Sequence, residues 1–381
     1  MYDELISLIK DTYPDKKNIP LHEPRLIGNE QKYLNEAIKS SYVSSVGPFV
    51  DEFEIQLAKY LKVKNVILTT NGTSALHIAL KLVGANSKTE VLTQSLTFVA
   101  SCNAIHYCNS NPVFIDVDKK TLGLSANALN QFLENNCYVN DNSECWNKKT
   151  NRKVVACLPM HTFGFSVEID KIKKICNQYN IELIEDSAEA MGSYYNQQHL
   201  GSFGKLGIFS FNGNKILTSG NGGAIITNDD NLAVKARHIT TTAKIKNQWY
   251  IEHDEIGYNY RMSNLNAAVG LAQLEKLDTF IKNKRKLGKK YQEELKNENF
   301  FVFKETENSK ANYWLNVLIT NSKKNRDTIL DITNEHNIFT RPAWNPMHIL
   351  PMNKDCYYEN LENTEFLFDR IVNIPSSVTN I

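Results

Sequence analysis

The feature that most constrains this 381-residue chain is an alternation in its middle of short β-branched runs, polar turns and helical segments. NVILTT (65–70) precedes SALHIALKLVG, and EVLTQS (90–95) precedes a stretch that can be helical up to His106. NPVFIDVD (111–118), KVVACLPMH (153–161) and IELIED (181–186) are further buried strands. Between the last two, VEIDKIKKICNQYN sets Ile169, Ile172, Ile175 and Cys176 at helical spacing. Strands that alternate with helices imply an α/β fold whose mainly parallel sheet is covered on both faces. GIFSFN and GGAIIT extend that sheet, and their closeness in sequence implies that one of them runs antiparallel.

After about residue 264 the pattern changes. NLNAAVGLAQLEKLDTFIKNKRKLGKKYQEELK reads as one long helix, or two in line, with Leu265, Leu271, Leu274, Leu277 and Ile281 on roughly one face. A strand (312–320), a helix (RDTILDITNEHN) and a final helical segment (ENTEFLFDRIVN) complete a smaller α+β unit. The expected division is a large domain over 1–264, including an N-terminal amphipathic helix that ends near Pro14, and a linking helix with a small domain over 265–381. The polar segment 137–153 reads as an exposed loop.

Bulk composition excludes several classes. With 43 basic and 42 acidic residues the formal net charge is +1, which gives no electrostatic basis for nucleic-acid or membrane binding. No apolar run reaches the length of a membrane span, and the N-terminus lacks the apolar core of a signal peptide. The seven cysteines form no CxxC pair, so the chain reads as a reduced, cytoplasmic protein without a structural metal.

Ligands of open α/β sheets bind beyond the carboxyl ends of the strands. Three features fall there. In NGTS (71–74), Gly72 permits a tight turn, and Thr73 and Ser74 can cap the next helix, whose free amides suit a phosphate. In EDSAEAMGS (185–193), Asp186 ends a buried strand as a helix cap, a rim charge or the partner of a buried cationic nitrogen. In FSFNGNKILTSGNGG, Lys215 lies between two apolar strands, where it is either a solvated loop lysine or a desolvated amine able to form a Schiff base. A phosphate cradle, a carboxylate and a lysine, in that order, are what pyridoxal phosphate requires.

With these motifs in order, together with IPLHEPRLIGNEQ, LTFVASCNAIHY, GYNYRMSNLNAAVGLAQLE and RPAWNPMH, nearly the whole chain resembles the DegT-type nucleotide-sugar aminotransferases of the fold-type I pyridoxal phosphate enzymes. The resemblance implies that Lys215 holds the cofactor as an internal aldimine and moves the proton, and that the cofactor passes through its pyridoxamine form. Asp186 would pair with the pyridine nitrogen and Phe98 would stack on the ring. Gly72, Thr73, Ser74 and Ser210 would bind the phosphate, and Asn259 would reach it from a neighbouring subunit, making a homodimer with shared sites. His161, Arg261, Trp344 and His348 are substrate candidates; each is equally readable as a core, loop or rim residue.

Two departures from the common family pattern, Glu189 three residues after the aspartate and SGNGG after the lysine, resemble the subset that aminates C4 of UDP-linked 2-acetamido-4-keto-trideoxyhexoses on bacillosamine and legionaminic acid routes. Glu189 would then lie near the cofactor face, where it can meet the sugar's C4 amine. Glutamate is the expected amino donor. GDP- or dTDP-linked keto-sugars are the alternative substrates. A sugar dehydratase of this fold would carry histidine in place of Lys215, and a non-enzymic regulator a broken lysine or aspartate; both residues are intact here.

Overall fold

A computed structural model describes residues 2–245, 247 and 249–379. Its centre is a nine-stranded sheet. Seven strands form the main path: β1 (Asn65–Thr69), β2 (Thr89–Gln94), β3 (Asn111–Ile115), β4 (Arg152–Leu158), β5 (Glu182–Asp186), β6 (Leu206–Ser210) and β7 (Gly223–Thr227), in the order β1-β7-β6-β5-β4-β2-β3. The pairs β2/β3, β2/β4, β4/β5 and β5/β6 are parallel, whereas β7 is antiparallel to both β1 and β6. The antiparallel strand expected within GIFSFN–GGAIIT is therefore β7. Because β7 is reversed, its first residue lies at the same edge as the last residues of its neighbours: Gly223 pairs with both Thr69 and Ser210.

Alternate residues of each strand face opposite layers. Ile67, Ile184, Ile208 and Ile225 pack on the helices Gly72–Leu82 and Asp230–Thr240. Val66, Leu68, Phe209 and Ala224 face the opposite way, onto helix Pro48–Leu61 and the long helix Asn264–Glu294. Toward β4, the same face is covered by Ala126–Asn136 and Ile169–Gln178 through Leu129, Leu133, Ile172 and Cys176.

The long segment after 264 is a single helix, capped by the Ser263 hydroxyl accepting from the Asn266 amide. It ends against a four-stranded antiparallel sheet (Phe300–Val302, Asn316–Thr320, Arg341–Pro342, Ile371–Ile374) backed by helix Lys323–Glu335. The N-terminal helix Asp3–Thr12 buries Leu5, Ile6 and Ile9 in one cluster with Tyr291, Phe300, Leu318 and Val372, so it packs on the C-terminal unit although it opens the chain. Two expectations are corrected. Segment 137–153 is not a plain loop: Cys137–Val139 and Cys145–Asn147 form a ribbon on β4, with Cys145 and Asn147 fully buried and Asn147 donating to Glu90 at 3.0 Å. The final helix stops at Phe368, and Ile371–Ile374 is a strand, because these residues complete the small sheet beside Asn316–Thr320.

Candidate active site

The carboxyl ends of β1, β5 and β6 and the start of β7 surround a cavity of about 280 Å³. Its floor comes from the turn after β1. Asn71 caps helix Gly72–Leu82 by accepting from the Ser74 amide at 2.8 Å, which fixes the first turn and presents its free amides to the cavity. The neighbouring strands close on this turn so tightly that two glycines are required. A Cβ on Gly72 would lie 2.9 Å from Ser210 Cβ, and one on Gly223 would lie 2.5 Å from the Asn71 carbonyl carbon. Gly72, Thr73 and Ser210 line the cavity; Ser74 stands behind them, its hydroxyl 3.1 Å from that of Thr70.

Asp186 ends β5 with its side chain in the cavity wall and is almost wholly buried. One carboxylate oxygen accepts from the Ser101 hydroxyl at 2.7 Å and the other from the Ala188 amide at 3.2 Å. Burial pushes this carboxyl up from its ordinary range, against the opposing pull of Ser101, the Ala188 amide and Lys215. A buried carboxylate supported by one hydroxyl and one amide lacks a full positive partner, a charge that a protonated ring nitrogen would supply.

Lys215 follows a turn closed by its own amide to the Asn212 carbonyl at 2.9 Å. Its side chain is only 12% exposed; Nζ donates to Glu189 Oε1 at 3.2 Å and lies 4.1 Å from the centre of the Trp314 ring. The other oxygen of Glu189 accepts from the Phe163 amide at 2.8 Å. Burial raises the Glu189 carboxyl to about 7, with Lys215 and that amide pulling the other way. Phe98 occupies the position just before helix Val99–Tyr107 on the cavity rim; it is 47% exposed, with its ring edge-on to Trp344 at 6.1 Å. An exposed ring over a pocket that holds a lysine and a buried carboxylate is a surface for a flat cofactor. Helix amides, carboxylate, lysine and ring together fit pyridoxal phosphate.

Other candidates fall elsewhere. His161 is fully buried outside the cavity lining: the short helical turn Thr162–Gly164 directs the chain inward, and Nε2 meets Glu185 at 3.1 Å. Glu185 also accepts the amides of Gly201, Phe203 and Gly204. Arg261 is buried against Glu54 at 2.9 Å and the Leu68 carbonyl at 3.1 Å. His348 is buried with Nδ1 2.8 Å from the Ser95 hydroxyl. Asn259 is exposed and outside the lining, its backbone bridged to Thr241. Trp344 does line the cavity. Sequence reasoning missed Ser101 and Trp314. Ser101 sits one helical turn from Phe98 in a motif already singled out, so it was within reach; Trp314 comes from the distant small unit and carries no local signal.

A lysine just beyond one strand end and a buried aspartate at the end of the next, over a helix N-terminus, fit the pyridoxal-phosphate-dependent aminotransferases of the fold-type I class, whose fold this is. The chain belongs to the DegT/DnrJ/EryC1/StrS aminotransferase family, whose model matches residues 24–379, and it is a sugar aminotransferase. It is 37% identical over 366 residues to GDP-perosamine synthase of Vibrio cholerae, with 94% of each chain covered. It is 33% identical over 269 residues to the UDP-4-amino-4,6-dideoxy-N-acetyl-beta-L-altrosamine transaminase of Campylobacter jejuni, covering 70% of this chain and 67% of that protein. In fold it resembles PseC of Helicobacter pylori, an aminotransferase of pseudoaminic acid biosynthesis, with a TM-score of 0.85 at 23% identity over 94% of both chains. Among the described residues no helix is long and apolar enough to cross a membrane.

Proposed function

We propose that the enzyme transfers an amino group from glutamate to C4 of a nucleotide-linked 4-keto-6-deoxy sugar. The observation that carries this reading is the convergence of Lys215, Asp186 and the Gly72–Thr73 amides on one cavity. When bound, pyridoxal phosphate acts as an electron sink and carries the amine between donor and acceptor. Lys215 holds the cofactor and moves a proton at its Nζ. Asp186, oriented by Ser101, balances the charge of the ring nitrogen. Glu189, with its carboxyl near 7, is set to hold or release a proton beside Lys215 around neutral pH.

Two nucleotides remain in contention, each with its own support. The similarity to GDP-perosamine synthases at 37%, 35% and 34% identity favours a GDP-linked sugar. Glu189, SGNGG and the Campylobacter relative favour a UDP-linked acetamido sugar. We further propose a homodimer with shared sites. Trp249, Tyr250, Ile251 and Ile256 are all exposed in the stretch just before Asn259, an apolar surface suited to a second copy, and Asn259 lies outside its own cavity.

The test is the absorbance of the purified protein with pyridoxal phosphate, before and after glutamate, for wild type and Lys215→Ala. Wild type should show the visible band of lysine-bound cofactor, and glutamate should bleach it; the variant should lack the band. No band in wild type would refute Lys215 as the anchor. GDP- and UDP-linked 4-keto sugars, each added to the glutamate-treated enzyme, should then restore the band for the true acceptor.

A further inference from the structure

Behind Lys215 lies a second lysine to which the proposed reaction gives no task. Lys284, in the middle of the long helix, is fully buried, and among the described residues no carboxylate pairs with it. Its Nζ instead donates to the carbonyls of Trp314, at 3.2 Å, and Ser376. Burial drives its ammonium well below the ordinary lysine range, and two carbonyls are what the two N–H bonds of a neutral amine require.

The residue that Lys284 grips is the one beneath Lys215. Trp314 is held at three points. Its carbonyl accepts from Lys284, its amide donates to Asn312 Oδ1 at 2.8 Å, and its indole N–H donates to the Asn214 carbonyl at 2.8 Å. The last bond ties the ring to the residue next to Lys215, so lysine and ring keep a fixed relation. The Asn312 side chain also donates to the carbonyls of Glu189 at 2.9 Å and Met191 at 3.0 Å. Glu189 and Trp314, which both contact the Lys215 ammonium, are thereby fastened to each other through one asparagine. Between Asn312 and Trp314 the chain turns through Tyr313 at φ 50°, a left-handed conformation that a tyrosine adopts only where its surroundings impose it.

We propose that Trp314 is a positioning residue for Lys215, a flat seat for its ammonium, and that Lys284 is the buried clamp that fixes this seat to the long helix. The inference rests on Lys215 being the working lysine of the site. A lysine that alternates between linked and free needs a defined place for its free end. A ring face at 4.1 Å with a carboxylate at 3.2 Å provides one by cation–π and charge-assisted contact.

The test reads the lysine itself. In full-length protein stripped of cofactor, acetylation of Lys215 at one fixed pH is followed by peptide mass spectrometry, with the exposed Lys289 as internal reference. Trp314→Leu should raise the relative labelling of Lys215 by roughly tenfold, the factor expected for a partly desolvated cation–ring contact. Trp314→Phe, which keeps a ring, should restore labelling to within about twofold of wild type. Lys284→Met should loosen Lys215 as Trp314→Leu does; if that variant does not fold, Lys284→Gln, whose amide can serve both carbonyls, should fold and label as wild type. Unchanged labelling in Trp314→Leu, or equal labelling in the Phe and Leu variants, would overturn the proposal. Because this readout needs no cofactor, it is scored separately from the lysine-bound band: an absent band in wild type marks failure of the proposed reaction, and unchanged labelling in the variants marks failure of the seat and clamp.

Discussion

Glu189→Gln should change how stability depends on pH, by an amount that follows from the position of the carboxyl. Glu189 is 2% exposed, and burial holds its carboxyl near 7, against an ordinary value of 4.5. Between these two pH values the folded chain retains a proton that the unfolded chain has released. Raising the pH across this window therefore costs stability, and above about 7 the loss is complete. At ~1.4 kcal/mol for each tenfold change in proton affinity, the full loss is about 3 kcal/mol. Glutamine keeps the size of the side chain and an oxygen for the Phe163 amide but cannot ionise. The assay is denaturant unfolding of cofactor-stripped wild type and variant between pH 5 and 8. Any pH-independent cost of the substitution cancels from the slope. The variant should gain roughly 2 to 3 kcal/mol relative to wild type from the acid to the alkaline end, since pH 5 already lies above the ordinary value of the unfolded carboxyl. Curves that stay parallel would refute the rise that burial imposes on the Glu189 carboxyl over the opposing pull of Lys215, and with it the reading of Glu189 as a proton holder.

Two further outcomes test the cradle and its surroundings. Gly72→Ala brings a Cβ to 2.9 Å from Ser210 Cβ and must part the two strand ends, so equilibrium dialysis should show cofactor affinity reduced at least ~10-fold with far-UV circular dichroism unchanged. Arg261→Met removes one of two arginine partners of the Glu54 carboxylate, which still accepts from Arg237 at 2.7 Å and from the Leu68 amide, so chemical denaturation should show a loss of about 2 kcal/mol, that of a charge-assisted hydrogen bond. The KM for the sugar should stay at the wild-type value, since Arg261 lies outside the cavity; a rise in KM with stability intact would return it to the substrate candidates.

The groups proposed to do the work, Asp186, Ser210 and Lys215, were legible in the sequence because each lies at or just beyond a strand end, and a parallel sheet delivers its strand ends to one edge whatever the distance between them. His161 lies three residues beyond the end of its strand, yet nothing in the sequence signals that Glu185, on the adjacent strand, holds its ring inward. Trp314 was illegible for a different cause: it reaches Lys215 only through the packing of the small unit on the long helix, a relation set by contacts between segments far apart in the chain. The ribbon at 137–147 was hidden by composition. Its strands are three residues long, and Tyr138 and Val139 face solvent while Cys137 and Cys145 face in, so polar neighbours mask the alternation. The strand Ile371–Ile374 was hidden because it follows a helix with only a short turn between them.

The reversed strand β7 has a consequence for how the chain is made. β1 sits at the sheet edge, and its ladder partner is β7, so residues 65–69 wait for residues 223–227. During synthesis β2, β3, β4 and β5 can pair as a parallel block once residue 186 has emerged, since the ladders that join these four strands lie wholly within residues 89–186. The turn at Asn71–Gly72 cannot be locked in place until Gly223 arrives more than 150 residues later. A nascent chain halted before that point would carry a settled half-sheet and no phosphate-sized cradle, so the capacity to hold a cofactor should appear abruptly and late on the ribosome.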